Sequence, residues 1–535
     1  MLHTFAFMVL LGGGGIGQEH DHMSTPGERL GTVHFETSCA AAAQPQFDRA
    51  VALLHSFEFG RAIDAFGSAL KTDPSCAGAY WGVALSRWGN PFAVGARGAS
   101  QLQQGREAVD RARTVGAKTD RERAYIGAVA HLYVDAETAS QAARAVAYRD
   151  AMATVAATYA RDTEASIFYA LALTASEDPR DKTYVSRTKA GAMLEHLVAS
   201  QPDHPGLAHY IIHSYDVPAL APKALDAARR YAKIAPSAPH ALHMPAHTFT
   251  RVGAWQESID SNVASAAAAR RDHATAEELH AMDYEMYAYL QTAQDTPAQA
   301  LVDSLSEIAA RFNPDAIGSA APGSAGVFAL AAIPARWTLE RRAWAEAATL
   351  EPHPSAFPYA EAMTYFARAI GAAHNKDAAT ARSAIDALRQ IQARLTASNE
   401  LYWAEQVEIQ RQGAAAWLAL AEARNDEALA GMRAAAERED RTEKSAVTPG
   451  PIAPARELLA EMLLELHEPA QALKAFESTL QKEPNRFRAL YGAAKAAKLS
   501  GDAVLARQYG DRLMKMCERA GTPARPELAE VRRGW

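Results

Sequence analysis

Only three cysteines occur in the 535 residues, Cys39, Cys76 and Cys517, and no two of them form a CxxC pair. That scarcity excludes a disulfide-dense scaffold and a thiolate zinc cluster. Cys39 and Cys76 could bridge in an oxidising compartment, but two buried thiols is the simpler reading. No stretch reaches 18 consecutive uncharged apolar residues, so no membrane-spanning helix is expected. A GxSxG nucleophile elbow is missing, and no cysteine sits in a nucleophile signature. The glycines of LLGGGGIG near the N-terminus have no strand–helix context and make no phosphate loop. Charge of one sign is also in short supply. With 55 Lys+Arg against 62 Asp+Glu, a net charge of −7 and no basic stripe, no nucleic-acid partner is expected.

The N-terminus has an apolar run from Phe5 to Leu11 without a preceding Lys or Arg and without an A-x-A cleavage site. As a secretory signal it is degenerate, so the first 30 residues read as a signal-like or disordered segment. Export to a periplasm and cytoplasmic residence both remain open.

What the chain has in abundance is alanine, in a composition that is 49% hydrophobic with few β-branched runs, which favours helix. A pattern also recurs. Ala62, Phe66, Ala69 and Pro74 stand at offsets 0, +4, +7 and +12, and Ala190, Leu194, Leu197 and Pro202 repeat them. Ala224, Ala228, Tyr231 and Pro236 follow 34 residues later, and Ala472, Phe476, Thr479 and Pro484 match near the C-terminus. Small alanines let two helices approach, the +4 and +7 residues extend the apolar stripe, and the proline closes the unit. The period and pattern resemble the tetratricopeptide repeat, a 34-residue pair of antiparallel helices. The stretches GTVHFETSCAAAAQPQFDRAVALLHSFEF, DPSCAGAYWGVALSRWGNPF, APSAPHALHMPAHTFTRVGAW and VTPGPIAPARELLAEMLLEL resemble, more narrowly, a bacterial tetratricopeptide-repeat (TPR) family. That resemblance implies an all-α TPR solenoid with a concave groove and is compatible with export. It implies no reaction.

Two interruptions divide the pattern. Residues 313–328 are rich in Gly, Ser and Pro and read as a loop, and residues 439–455 read as a Pro-containing linker. The expected organisation is an N-terminal solenoid over 31–312, degenerate helical repeats over 329–438, and clean C-terminal repeats over 456–535.

Histidine is concentrated in one place. Nine of 18 histidines fall between His196 and His280, where composition alone would put about three. His209 and His213 in HYIIH are four apart, and so are His243 and His247 in HMPAH, 34 residues on. Residues four apart share a helix face, and the repeat register puts both pairs on the first helices of consecutive units. In a TPR solenoid those helices line the groove. Four imidazoles on neighbouring helices are therefore expected to converge on one ion, with His280 on the next helix as a fifth ligand. Pro245 inside HMPAH breaks a local helix rule at a cost of about 3 kcal/mol, unless the helix starts there.

Asp283 and Glu278 are the candidate general bases. His55, Trp81, Asp216, His240 and Tyr284 are further groove candidates, His55 and Trp81 being as compatible with plain core packing. The expected cofactor is a divalent transition metal (Zn, Cu or Fe), and the expected partner a peptide or small molecule in the groove. Two functions follow. One is a TPR binding protein with a histidine-held metal; the other is a metal-dependent hydrolase or oxidoreductase in the same groove. Inherited duplication without a metal accounts for the same recurrence.

Overall fold

A computed structural model of the chain describes residues 27–534 except 94–96, 179 and 317, and the described residues contain helices and no strand. The signal-like run Phe5–Leu11 lies outside them. The chain is a TPR-type α-solenoid of antiparallel helix pairs. Gln44–His55 pairs with Phe59–Thr72, Pro205–Ser214 with Leu225–Ile234, Thr275–Gln291 with Asp295–Arg311, and Ala455–Glu465 with Pro469–Lys482. The repeat anchors do what their pattern implies: Ala62, Phe66 and Ala69 are fully buried, as are Ala472 and Phe476. Close approach depends on glycine at one matching position in each end of the array. A Cβ on Gly82 would lie 2.1 Å from the Phe66 ring, and one on Gly492 would lie 2.1 Å from the Phe476 ring.

The turns within helix pairs repeat too. Arg342 and Lys376, 34 apart, both have positive φ (56° and 60°), as do His467 and Gly501 (59° and 84°). Most such turns use a residue with a side chain, at roughly 1 kcal/mol each.

The two interruptions are more structured than their compositions suggest. Only the first part of 313–328 is loop, because the helix Gly323–Glu340 begins within it. Gly323 and Gly326 permit that start: a Cβ would lie 1.8 Å from the Pro314 carbonyl at one and 2.5 Å from the Phe312 ring at the other. The segment read as a linker after Glu439 runs through the interior of the superhelix as a strap. Lys444 reaches Asp216 (3.3 Å), Tyr284 Oη donates to the Thr448 carbonyl (3.1 Å), and Arg336 donates to Thr448 Oγ1 (2.8 Å) and the Gly450 carbonyl (2.9 Å). What the sequence presents as an open groove is therefore filled over this stretch.

Cys39 and Cys76 are joined in a disulfide with Cα atoms 4.8 Å apart, and the reading of two free buried thiols is corrected accordingly. The bond ties the segment before the first helix to the start of Ala77–Trp88. Cys517 is free and buried, and burial pushes its thiol up to about 12. Residues just after the undescribed N-terminus are anchored, with Glu28 paired to Arg49 at 2.6 Å and to Arg61 at 2.5 Å. No helix among the described residues is long and apolar enough to cross a membrane.

Candidate metal centre

The imidazoles do not face an open groove. His209, His213, His240, His243, His247 and His280 are each at most 6% exposed. They come from consecutive inner helices: Pro205–Ser214, the broken helix Pro239–His243 and Pro245–Val252, and Thr275–Gln291. Pro245 occupies the first turn of its own short helix, where a missing N–H costs little, and Met244 stays helical (φ −53°, ψ −35°). Helical backbone geometry carries on through Met244, so the expected helix-breaking penalty does not arise.

Six imidazoles form two triads. His209, His213 and His240 make one, and His243, His247 and His280 the other; within each, the potential ligand atoms lie within 4.8 Å of one another. Each triad takes an i,i+4 pair and adds one histidine from the next repeat. The expected four-histidine cluster around one ion is thus replaced by two three-histidine clusters. His240, read only as an accessory, sits in the first of them. The triads adjoin, with ring centroids 6.2 Å apart for His213–His247 and 6.1 Å for His240–His243.

Hydrogen bonds fix which nitrogens face inward. His209 Nδ1 donates to the His55 carbonyl (2.6 Å), so its Nε2 is bare. His213 Nε2 and His240 Nε2 both point at that single lone pair, from 3.1 and 3.2 Å. In the second triad, Asn262 Nδ2 donates to the Ser258 carbonyl (2.7 Å), which orients Asn262 Oδ1 to accept from His243 Nδ1 (2.7 Å). His247 Nδ1 donates to Asp216 Oδ2 (3.0 Å). Two bare Nε2 atoms therefore face each other across 3.1 Å, those of His243 and His247.

Protonation does not resolve the clash. Burial holds His209, His213, His243 and His280 well below the usual imidazole range, with their neighbouring imidazoles adding to the effect. Burial likewise lowers His247 to about 4, against the pull of Asp216. Asp216 is itself kept ionised by Lys444, Arg251 (2.8 Å) and His247, which outweigh its burial.

The other candidates fall into place around this core. Tyr284 lies beside the second triad, its Oη 3.4 Å from His247 Nδ1 and its ring 4.8 Å from that of His243. His55 contributes its backbone carbonyl, while its ring is satisfied by Tyr210 Oη (3.0 Å) and Glu164 (2.9 Å). His204 also holds Glu164 (3.0 Å), so both oxygens of that carboxylate are taken by imidazoles, while His204 Nδ1 has no partner. Trp81 is core, stacked on Phe35 with centroids 5.0 Å apart. The two carboxylates proposed as bases have other partners. Asp283 pairs with Arg336 (2.8 Å), and Glu278 with Arg270 (2.8 Å) and Arg311. Asn262, Arg251, Lys444 and Phe57 had no signal in the sequence. Phe57 packs its ring against those of His209, His213 and His240.

A cavity of about 30 Å³ touches His213 and His240 of one triad and His247 and His280 of the other. A second, of about 440 Å³, shares His213 and Phe92 with it and continues beneath the strap.

No protein-family model matches this chain, and no curated protein does. Solved structures similar to it include TPR proteins. YrrB, a TPR protein with an unusual peptide-binding site, is 19% identical, with 38% of this chain and 90% of that one covered at a TM-score of 0.20. Cut9 from the APC/C hetero-tetramer Cut9–Hcn1 is 11% identical, covering 92% and 89% at 0.34. Human IFIT1, as a dimer with m7Gppp-AAAA, is 11% identical, covering 82% and 90% at 0.38. Overlap is loose at these scores, and the ligands of those proteins say nothing of this one.

Proposed function

We propose that this chain is a metalloenzyme built inside a TPR solenoid, with two transition-metal ions side by side. His209, His213 and His240 would hold one ion, and His243, His247 and His280 the other. The observation that carries this reading is the 3.1 Å separation of His243 Nε2 and His247 Nε2, in rings whose single N–H is at Nδ1, donating to Asn262 and Asp216. Two bare lone pairs at that distance repel, and a cation between them turns the repulsion into binding. Metal–nitrogen bonds of 2.0–2.1 Å put ligand nitrogens about 2.9 Å apart at a right angle and about 3.3 Å apart at a tetrahedral angle. The 3.1–3.2 Å separations in both triads lie within that interval. Carbonyl and carboxylate partners on the outer nitrogens are the usual support for ligating imidazoles.

An all-imidazole set suits zinc, copper, iron or nickel and not magnesium or calcium. Three protein ligands per ion leave a position open, as in catalytic sites, and the small cavity that touches both triads has room for water. Paired ions there would activate water or exchange electrons with a small molecule. The burial of the imidazoles supports a small-molecule ligand over a peptide. A binding protein that stores metal is the second reading, favoured by the strap across the site. The Cys39–Cys76 disulfide supports an oxidising, exported location.

The test is elemental analysis of the full-length chain loaded with each metal in turn, with turnover separating enzyme from store. Two equivalents of one transition metal, falling to about one in His243→Ala, are expected. A wild-type chain that retains no stoichiometric metal would end this reading.

A further inference from the structure

Two buried polar atoms behind the first triad have no hydrogen-bond partner and lie 3.9 Å apart: His240 Nδ1 and Glu277 Oε2. Both residues are at most 4% exposed. The other oxygen of the carboxylate is fixed, because Glu277 Oε1 accepts from the Ala321 backbone N–H (2.6 Å). Glu277 stands in the first turn of Thr275–Gln291, three residues before His280. Glu58, a second carboxylate beside His240, is engaged with the His240 backbone N–H and with Arg61 (3.6 Å).

The position of one proton decides what this pair does. A neutral imidazole carries a single N–H. His209 has its own on Nδ1, so its Nε2 is bare. With the proton on Nε2, His240 can donate to that atom across 3.2 Å. Its Nδ1 is then a lone pair opposite a carboxylate oxygen, and 3.9 Å is a separation that two acceptors keep. Both are left without a donor, which is costly in the core. With the proton on Nδ1, the ring can donate to Glu277 Oε2 and its Nε2 is free to ligate. The N–H bond at Nε2 breaks, the one at Nδ1 forms, and no proton is released. That state needs a cation at Nε2, since otherwise the bare Nε2 atoms of His209 and His240 meet.

We propose that Glu277 is the positioning residue of the first triad, holding the His240 proton on Nδ1 so that Nε2 is presented bare to the ion. The role rests on the two-ion reading. Ligating imidazoles usually give their other N–H to a carboxylate or carbonyl, and the second triad has such a bond, from His247 Nδ1 to Asp216 Oδ2 (3.0 Å). The two carboxylates are placed reciprocally. Asp216 follows the helix that carries His209 and His213 yet supports the second triad; Glu277 shares a helix with His280 yet supports the first.

The experiment titrates zinc into the metal-free full-length chain against a chromophoric chelator, with zinc content measured on the same sample. Glu277→Gln should weaken one of the two zinc ions about 10- to 100-fold and leave the other unchanged. Glutamine keeps the volume, but with its oxygen on Ala321 it turns an amide N–H towards His240 and favours the wrong tautomer. Glu277→Met serves if the first variant does not fold. On a His240→Ala background, where one zinc site remains, Glu277→Gln should change zinc affinity by less than about twofold, because the residue it acts through is gone. A carboxylate that only holds the fold together would lower it there too. Two wild-type zinc ions with no loss in a folded Glu277 variant, or an equal loss on both backgrounds, would overturn the proposal and leave the two-ion reading standing. A wild-type chain that holds no stoichiometric zinc would overturn both.

Discussion

The two halves of the solenoid solve the same problem, a polar interior, in opposite ways. In the C-terminal half, Arg486 is fully buried and holds Glu340 (2.8 Å), Glu457 (2.8 Å) and Tyr287 Oη (2.7 Å). Arg342 holds Glu461 at 2.5 Å nearby. Both guanidiniums there meet carboxylates within the protein. In the N-terminal half the imidazoles crowd their nitrogens together, two of them against the bare Nε2 of His209 and the bare Nε2 atoms of His243 and His247 against each other. Their charged partners, Asp216, Arg251 and Lys444, sit one layer out. Internally paired ions call for no added ion, whereas the facing nitrogens are what the proposed cations would answer. The repeat architecture is common to both halves, so the difference lies in side-chain chemistry alone.

That contrast can be broken at its stable end first. Removing Arg486 as Arg486→Met strands Glu340 and Glu457 in the core and should cost about 3–5 kcal/mol in urea unfolding. Metal content should not change. Loss of metal together with stability would mean that the two interiors are not separable.

A smaller effect is expected next to the imidazoles. Asp216→Asn weakens the orientation of His247 and should lower metal affinity about 10- to 100-fold by competition with a chelator. An unchanged affinity would remove Asp216 from the support of the second triad.

Much of this layout was legible in residue spacing, and the limits of that legibility are physical. The buried anchors Ala62, Phe66 and Ala69 follow from helix periodicity, as do the shared faces of His209 with His213 and of His243 with His247. Which pairs combine depends on the rise from one repeat to the next and on the helix break before Pro245. Spacing therefore suggested a single cluster where the structure has two. His240 was underrated because it precedes His243 by three residues on the same helix, yet the two serve different triads. The outer partners, Asn262 Oδ1 and the His55 carbonyl, leave no trace in a sequence pattern, since any residue offers a carbonyl. Composition set 439–455 apart from the repeats. It could not tell an exposed connector from a strap whose carbonyls are taken up by Tyr284 and Arg336.

The smallest effect sharpens the comparison through pH. Glu285, on the same helix as His280, is 4% exposed, and burial pushes its carboxyl up to about 8, with Arg270 opposing and Glu278 reinforcing. The folded chain keeps this proton up to about pH 8, while the unfolded chain releases it near 4.5. Stability from this group is thus full below about pH 4.5 and falls as pH rises to about 8. Glu285→Gln should flatten that fall and gain at least about 1 kcal/mol at pH 8. Parallel pH profiles for variant and wild type would show that Glu285 is ionised in the fold.

The most direct test of the two-triad account is X-ray absorption on the metal-loaded full-length chain, with stoichiometry from the same sample. The account predicts two ions per chain, each with a shell of nitrogen or oxygen neighbours near 2.0–2.1 Å that includes three imidazoles. A single ion per chain ringed by four imidazoles, or a loaded metal lacking imidazole scattering, would contradict it.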